Sequence, residues 1–379
     1  MKKIYYYFLI VIFVLPLFLF YLYPLRGVKE KSLIESRKLE KVPTFTFSKF
    51  FKGEYQDELE KAISDQLLLS QTLRKNNKRF DNFTNHNLSK AFNIKDAECL
   101  KYIEYSKGYY TYGCSEYLIE KPNEELSFNY DKISKMFNSI NRKKYVYFIE
   151  KDRSVNFNDM NGKKKVYKDI KKAFKADRYA RFKLESFDEY KKYFYQTDHH
   201  WNYKGQYKGY TEIIRLLLGK KEKVYKPINT VTYDIIFYGS ADRKNQTELS
   251  KEKFTVYEYP ELKYKVYVDG KEKNYNNKQL YRDKKYNLKK YFNHYASYYG
   301  GDYAEVIYDF NKPDKDNILI ISTSYSNSIK DLIASHFNKT YYVDIRHYEN
   351  FDVNKYIEEH DIDKVLLMGD INSFVGGVD

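Results

Sequence analysis

The order of apolar and polar residues divides the chain into stretches of different period. Residues 4–23 form one apolar run, about the 20 residues that span a hydrocarbon core. Leu59, Ile63, Leu67 and Leu68 then recur at helical spacing, which predicts an amphipathic helix over 57–75. Helical periodicity returns at about 130–141, 167–174, 187–194 and 204–218. Residues 145–149, Tyr-Val-Tyr-Phe-Ile, show no polar alternation and read as a strand buried on both faces. Residues 220–309 are rich in Tyr and Lys, with short alternating segments at 254–259 and 264–268. They predict an irregular, mainly β insertion. Beyond it the pattern is regular: strand 318–322, helix 328–337, strand 340–345, helix 353–360, strand 365–368. Such alternation predicts parallel strands joined by right-handed crossovers, with functional groups at the carboxyl ends of the strands.

The resulting organisation is an anchor at 1–25, a connector with the amphipathic helix at 26–95, and an α/β domain at 96–379 carrying the insertion. The run at 4–23 is longer than a signal-peptide core. Pro24, Leu25 and Arg26 follow it without a small-residue cleavage pattern, so an uncleaved N-terminal transmembrane helix is expected. Lys2 and Lys3 favour a cytoplasmic N-terminus, whereas Arg26, Lys29, Lys31 and Lys38 favour holding the body inside. The chemistry described below favours the outside.

Composition changes this picture little. The net charge of +15 fits nucleic acid, an anionic surface, or codon bias that raises Lys, Asn, Ile and Tyr together, and there are 44 Tyr. The basic residues are spread along the chain with no basic arm or zinc-ligand spacing, so no nucleic-acid partner is expected. Cys99 and Cys114 flank a Tyr-rich stretch whose alternation about Ser106-Lys107-Gly108 predicts a β-hairpin over 100–113. Folding there sets the two cysteines opposite each other, either as a disulfide or as two thiols.

Two segments carry chemistry. A serine nucleophile needs a base to take its proton and a third group to orient that base. In Gln196-Thr197-Asp198-His199-His200-Trp201-Asn202, residues two apart share a face if the segment is extended. Asp198 then orients the ring of His200 while His199 points away. A metal site or a solvated loop is the other reading, but the remaining histidines form no ligand-spaced pair, and no metal is expected. Trp201, the single tryptophan, either walls the site or stacks on a sugar ring. Ser322-Thr323-Ser324-Tyr325-Ser326 lies at the end of a strand. Ser324 is the candidate nucleophile, with backbone N–H groups near Tyr325 facing a developing oxyanion; Ser326 or Ser328 reads as a helix N-cap.

The Thr197–Trp201 motif, followed by a helix opening at Gly205, resembles the DHHW proteins of Gram-positive bacteria. These are similar to the alginate O-acetyltransferase group of the SGNH-hydrolase-like superfamily. That group has Thr-Asp-x-His-Trp and, far downstream, Gly-(Asp/Thr)-Ser-(Tyr/Phe)-Ser. Here Thr323-Ser324-Tyr325-Ser326 match, and Ser322 stands where glycine is usual. Val343-Asp344-Ile345-Arg346 and Phe237-Tyr238-Gly239-Ser240 extend the likeness. The resemblance implies a three-layer α/β/α domain with a central parallel sheet. The order Asp, His, Ser is that of a circularly permuted SGNH hydrolase. It implies Ser324 as nucleophile, His200 as general base, Asp198 as orienter and Tyr325 as oxyanion donor. Trp201 and Arg346 are candidate substrate contacts, with a structural ion pair to Asp344 or another carboxylate as the other reading for Arg346. The implied activity is extracytoplasmic O-acetylation of a polysaccharide through an acetyl-serine, without a cofactor. A membrane-bound O-acyltransferase would supply the acetyl group. A carbohydrate esterase with the same triad and a non-catalytic polysaccharide-binding scaffold stand as alternatives.

Overall fold

The computed structural model describes residues 30–32, 37–66, 102–106, 108–112, 115–122, 125–245, 249–274 and 276–376. Residues 4–23, Cys99 and Cys114 lie outside this set, and among the described residues no helix is long and apolar enough to cross a membrane. Two compact units are present, Met1–Ile94 with Asp242–Glu248, and Lys95–Ala241 with Leu249–Asp379.

In the first unit, strands β1 (Lys31–Ser32) and β2 (Arg37–Lys38) pair antiparallel ahead of helices Phe47–Phe51 and Glu54–Gln66. The second helix covers the first part of the amphipathic helix expected over 57–75; residues 67–75, with Leu67 and Leu68, lie outside the described residues. The helix opens three residues earlier, with Glu54 and Asp57 in a first turn where acidic groups suit the helix dipole.

The second unit opens with the expected hairpin, β3 (Tyr102–Ser106) against β4 (Tyr109–Tyr112). Its main sheet is built from β5 (Lys143–Ile149), β6 (Arg178–Phe182), β9 (Lys265–Val268), β10 (Lys271–Glu272), β11 (Glu305–Asp309), β12 (Ile318–Ser322), β13 (Lys339–Val343) and β14 (Lys364–Gly369). A further pair, β7 (Asn229–Ile236) and β8 (Lys253–Glu258), stands apart from it. The order across the main sheet is β10-β9-β11-β13-β12-β14-β5-β6. From β13 to β6 every pair is parallel, whereas β11 and β9 add antiparallel strands on one side. The sheet is therefore mixed, not purely parallel. Part of the insertion belongs to it, because β9 to β11 come from residues 265–309.

Alternation along the central strands sends side chains to two cores. Tyr145, Tyr147, Ile149, Ile318, Ile320, Leu366 and Met368 face one, with Ile213 and Ile214 of helix Tyr203–Leu218 and Ile333 of helix Lys330–Ala334. Val146, Phe148, Leu319, Ile321, Val365 and Leu367 face the other, with Phe137, Ile170, Ile357 and Phe374 from helices on that side. Helices thus cover both faces, which is why β5, β12 and β14 are apolar through their middles, at 145–149, 318–321 and 365–368. A third, aromatic core joins β7 and β8 to helices Lys278–Arg282 and His294–Tyr299.

Candidate active site

Strands β12, β14 and β5 finish level with one another, since Ser322 pairs with Met368 and Met368 with Tyr147. Three segments therefore emerge side by side at the carboxyl edge. After β12, Thr323 is extended and Ser324–Ser326 forms one 3-10 turn. The helix expected from 328 starts only at Lys330, because this turn and its continuation occupy the residues between. Ser322, at the position where the family pattern has glycine, tethers the turn: its Oγ lies 2.7 Å from Ser326 Oγ, which also bonds the Thr323 carbonyl at 3.1 Å. Ser324 itself is half-buried.

Asp198 and His200 sit in a loop between helices Phe187–Tyr193 and Tyr203–Leu218. A bridge from Phe194 to Trp201 pinches it shut, and Asn202 caps the second helix by accepting from the amides of Lys204 and Gly205. The segment is a bend and not the extended run the shared-face argument assumed. Asp198 instead folds back on its own loop. Its Oδ1 accepts from the His200 amide at 3.0 Å and the His200 Nδ1 at 2.6 Å, in the manner of an Asx turn. Oδ2 accepts from the Ser240 amide at 2.6 Å. Nδ1 therefore carries the proton, leaving the Nε2 lone pair facing Ser324 Oγ at 2.8 Å. Asp198 and His200 are buried.

The strand-to-helix segment at 237–240 fixes this carboxylate. Gly239 donates to Thr197 Oγ1 at 3.0 Å, and Ala241 donates to the Thr197 carbonyl at 3.0 Å. A Cβ on Gly239 would lie 2.2 Å from that carbonyl oxygen, so only glycine permits the approach. Tyr295, from the insertion, lies flat on the His200 ring with centroids 3.9 Å apart and an interplanar angle of 11°. Its hydroxyl donates to the Ser324 carbonyl at 3.3 Å. Burial pushes the Tyr295 phenol far above its ordinary pKa, so it stays neutral. Sequence reasoning assigned the insertion no chemistry, and nothing in the pattern marks one tyrosine among 44.

His199 is held by Ser240, Nδ1 to Oγ 2.7 Å, and its carbonyl accepts from the buried Tyr325 hydroxyl. Trp201 is fully buried: its Nε1 donates to Ser328 Oγ at 3.1 Å, and Gly209 makes room for its ring. It supports the loop and offers no face to a sugar, which corrects that expectation. Arg346 grips Asp344 through Nε (2.9 Å) and a terminal nitrogen (2.6 Å), the bidentate ion pair that was the alternative reading. Donor atoms of Asp198, His199 and His200 lie within 4.8 Å of one another, but those of Asp198 and His200 are taken up by Ser240, each other and Ser324. The set fits a proton relay better than an ion.

Other charges border this edge. Lys151, at the end of β5, is buried with Nζ 2.9 Å from Asp152. Burial alone would lower its pKa; Asp152 and Glu120 outweigh that and hold it well above the usual value. Glu252 accepts from the Gln196 amide at 2.9 Å. Burial, reinforced by the Asp198 charge, pushes its carboxyl up to about 7.

No protein-family model and no curated protein matches the chain. Solved structures do. Bacillus cereus PatB1 with a sulfonyl adduct aligns with a TM-score of 0.53 at 20% identity, covering 71% of this chain and 95% of that one. A second PatB1 structure aligns at 0.53 and 21%, covering 69% and 96%. A DHHW family protein from Eubacterium siraeum aligns at 0.55 and 16%, covering 73% and 95%. At such identities the shared property is the fold, and this chain has the α/β fold of PatB1 and of a DHHW family protein.

Proposed function

We propose that this chain is a serine-dependent O-acyltransferase that moves an acetyl group onto a polysaccharide hydroxyl. The observation that carries this reading is the continuous relay from Asp198 through His200 to Ser324 at the carboxyl edge of the sheet. That PatB1 has been solved with a sulfonyl adduct supports a nucleophile on this fold.

The steps follow from the geometry. Ser324 Oγ attacks the acetyl carbonyl carbon as its proton passes to His200 Nε2, and Asp198 stabilises the imidazolium. The Tyr325 amide, next after the nucleophile, is the proposed donor to the oxyanion. Collapse breaks the bond to the donor oxygen, which leaves with the proton from Nε2, and an acetyl-serine remains. A sugar hydroxyl then gives its proton to Nε2 and attacks the ester. The second collapse returns that proton to Ser324. With water as acceptor the same cycle is ester hydrolysis. No cofactor enters either cycle.

The polymer acceptor argues for an extracytoplasmic domain held by the run at 4–23, and for a membrane-bound O-acyltransferase that delivers acetyl groups across the bilayer. Incubating the full chain in detergent with a small acetyl ester tests the chemistry. Intact mass should show one acetyl adduct, absent from Ser324→Ala. Acetylated oligosaccharide should then appear when sugar is added. Acetate with no acetylated sugar would make the protein an esterase, and no adduct at all would leave a scaffold.

A further inference from the structure

A cavity of about 610 Å³ opens in the second unit, and Asp198, His200 and Ser324 do not line it. Its volume is in the range of small-ligand sites, roughly 300–1,000 Å³. The end nearest the triad is made by Ser328 and Gln206, both tied to Trp201: Trp201 Nε1 donates to Ser328 Oγ, and Gln206 Nε2 donates to the Trp201 carbonyl at 3.1 Å. Tyr299 closes that end by donating to Gln206 Oε1 at 2.9 Å. Most of the remaining wall comes from the insertion, namely the end of β8 and the segment after it, strands β9 and β10, and helices Lys278–Arg282 and His294–Tyr299, with Asp331 and Leu332 of helix Lys330–Ala334 completing it.

The lining excludes several ligand classes. It is richer in tyrosine than in aliphatic side chains, and Tyr257, Tyr259 and Tyr264 of the lining are half-buried. Four carboxylates balance four cationic side chains, and Lys278 is spent on Asp331 at 2.7 Å. A polyanion would meet those carboxylates, and an apolar ligand would strand the charges and amides of the lining. A neutral sugar chain presents flat C–H faces for the rings and hydroxyls that both donate and accept. The geometry points to a glycan-binding cleft, separate from the triad, that holds a neutral polysaccharide chain beside the transfer site. Equating that chain with the acetyl acceptor rests on the transferase reading; the ligand chemistry of the cleft does not.

Calorimetric titration of the full chain in detergent with a glucose hexamer, an N-acetylglucosamine hexamer and a galacturonate hexamer tests this. A neutral hexamer should bind, and the pair Tyr257→Ala and Tyr264→Ala should weaken it about tenfold or more. Because Tyr264 also packs on Tyr308 and Phe310, Asn274→Trp serves as a second variant. Asn274 is exposed at the rim, and the larger ring should block the cleft without altering the core. Failure of both neutral hexamers to bind, tighter binding of galacturonate, or full affinity in Asn274→Trp would each overturn the proposal. Hydrolysis of a small acetyl ester by the unaltered protein is measured in parallel. Hexamer binding without hydrolysis would remove the transferase reading and leave the cleft standing.

Discussion

Asp198 accepts from the His200 amide, His200 Nδ1 and the Ser240 amide, and each of these bonds restrains His200 in a different way. The bond to Nδ1 fixes the tautomer, that to the His200 amide fixes the loop, and that from Ser240 fixes the carboxylate itself. Asp198→Asn keeps the shape but can leave the proton on the wrong ring nitrogen. Steady-state hydrolysis of an acetyl ester should show kcat down by about 10²–10⁴ with KM little changed. Tyr295 acts through His200 and is a positioning residue. Tyr295→Phe keeps the stacked ring and should retain most activity. Tyr295→Ala should lower kcat about tenfold or more by freeing the imidazole, again with little change in KM. A rise in KM with kcat intact would instead make Tyr295 a substrate contact. Asp198, His200 and Ser324 were singled out from their residue types and from the resemblance of both motifs to a family pattern; the spacing argument assumed an extended segment, and it is a bend that brings the three side chains together. Tyr295 was not, since its place on His200 is a tertiary contact between segments 95 residues apart.

At the scale of elements, a short segment of backbone does what the side-chain list cannot. The segment 239–241 lies so close on Thr197 that its amides replace a strand partner for the catalytic loop. Gly239→Ala should push the two backbones apart. Urea unfolding should reveal a loss of about 2–3 kcal/mol, and ester hydrolysis should fall with it. Unchanged stability would mean the loop tolerates the displacement. The alternation over 318–368 announced its strands and helices because apolar runs and helical periods there are clean. The half-polar strand Arg178–Phe182, with Phe182 alone fully buried, gave no such signal. Nor could alternation at 264–268 tell a separate β layer from strand β9 on the main sheet, since pairing partners are not encoded in period.

Across the whole molecule, the division of each central strand between two cores explains why the sheet was readable while the insertion was not. The sheet buries apolar side chains on both faces, whereas the third core is assembled from tyrosines that look polar in sequence. That third core contains Tyr195 and Tyr295, on either side of the catalytic loop, and Glu252 links β8 to the same loop through Gln196. Stability should therefore register the ionisation of Glu252. Its carboxyl is raised from 4.5 to about 7 in the folded protein, so the folded state binds the proton more tightly than the unfolded chain does. This contribution is fully present below about pH 4.5 and is lost as pH rises through about 7. The expected decline is about 1–3 kcal/mol over that window. Glu252→Gln keeps an acceptor for the Gln196 amide and cannot ionise. Urea unfolding of parent and variant across the window separates the Glu252 contribution from that of every other titrating group. The difference in stability should shift in favour of the variant as pH rises. A constant difference would place the Glu252 titration outside the window and leave its carboxylate charged beside Asp198 throughout.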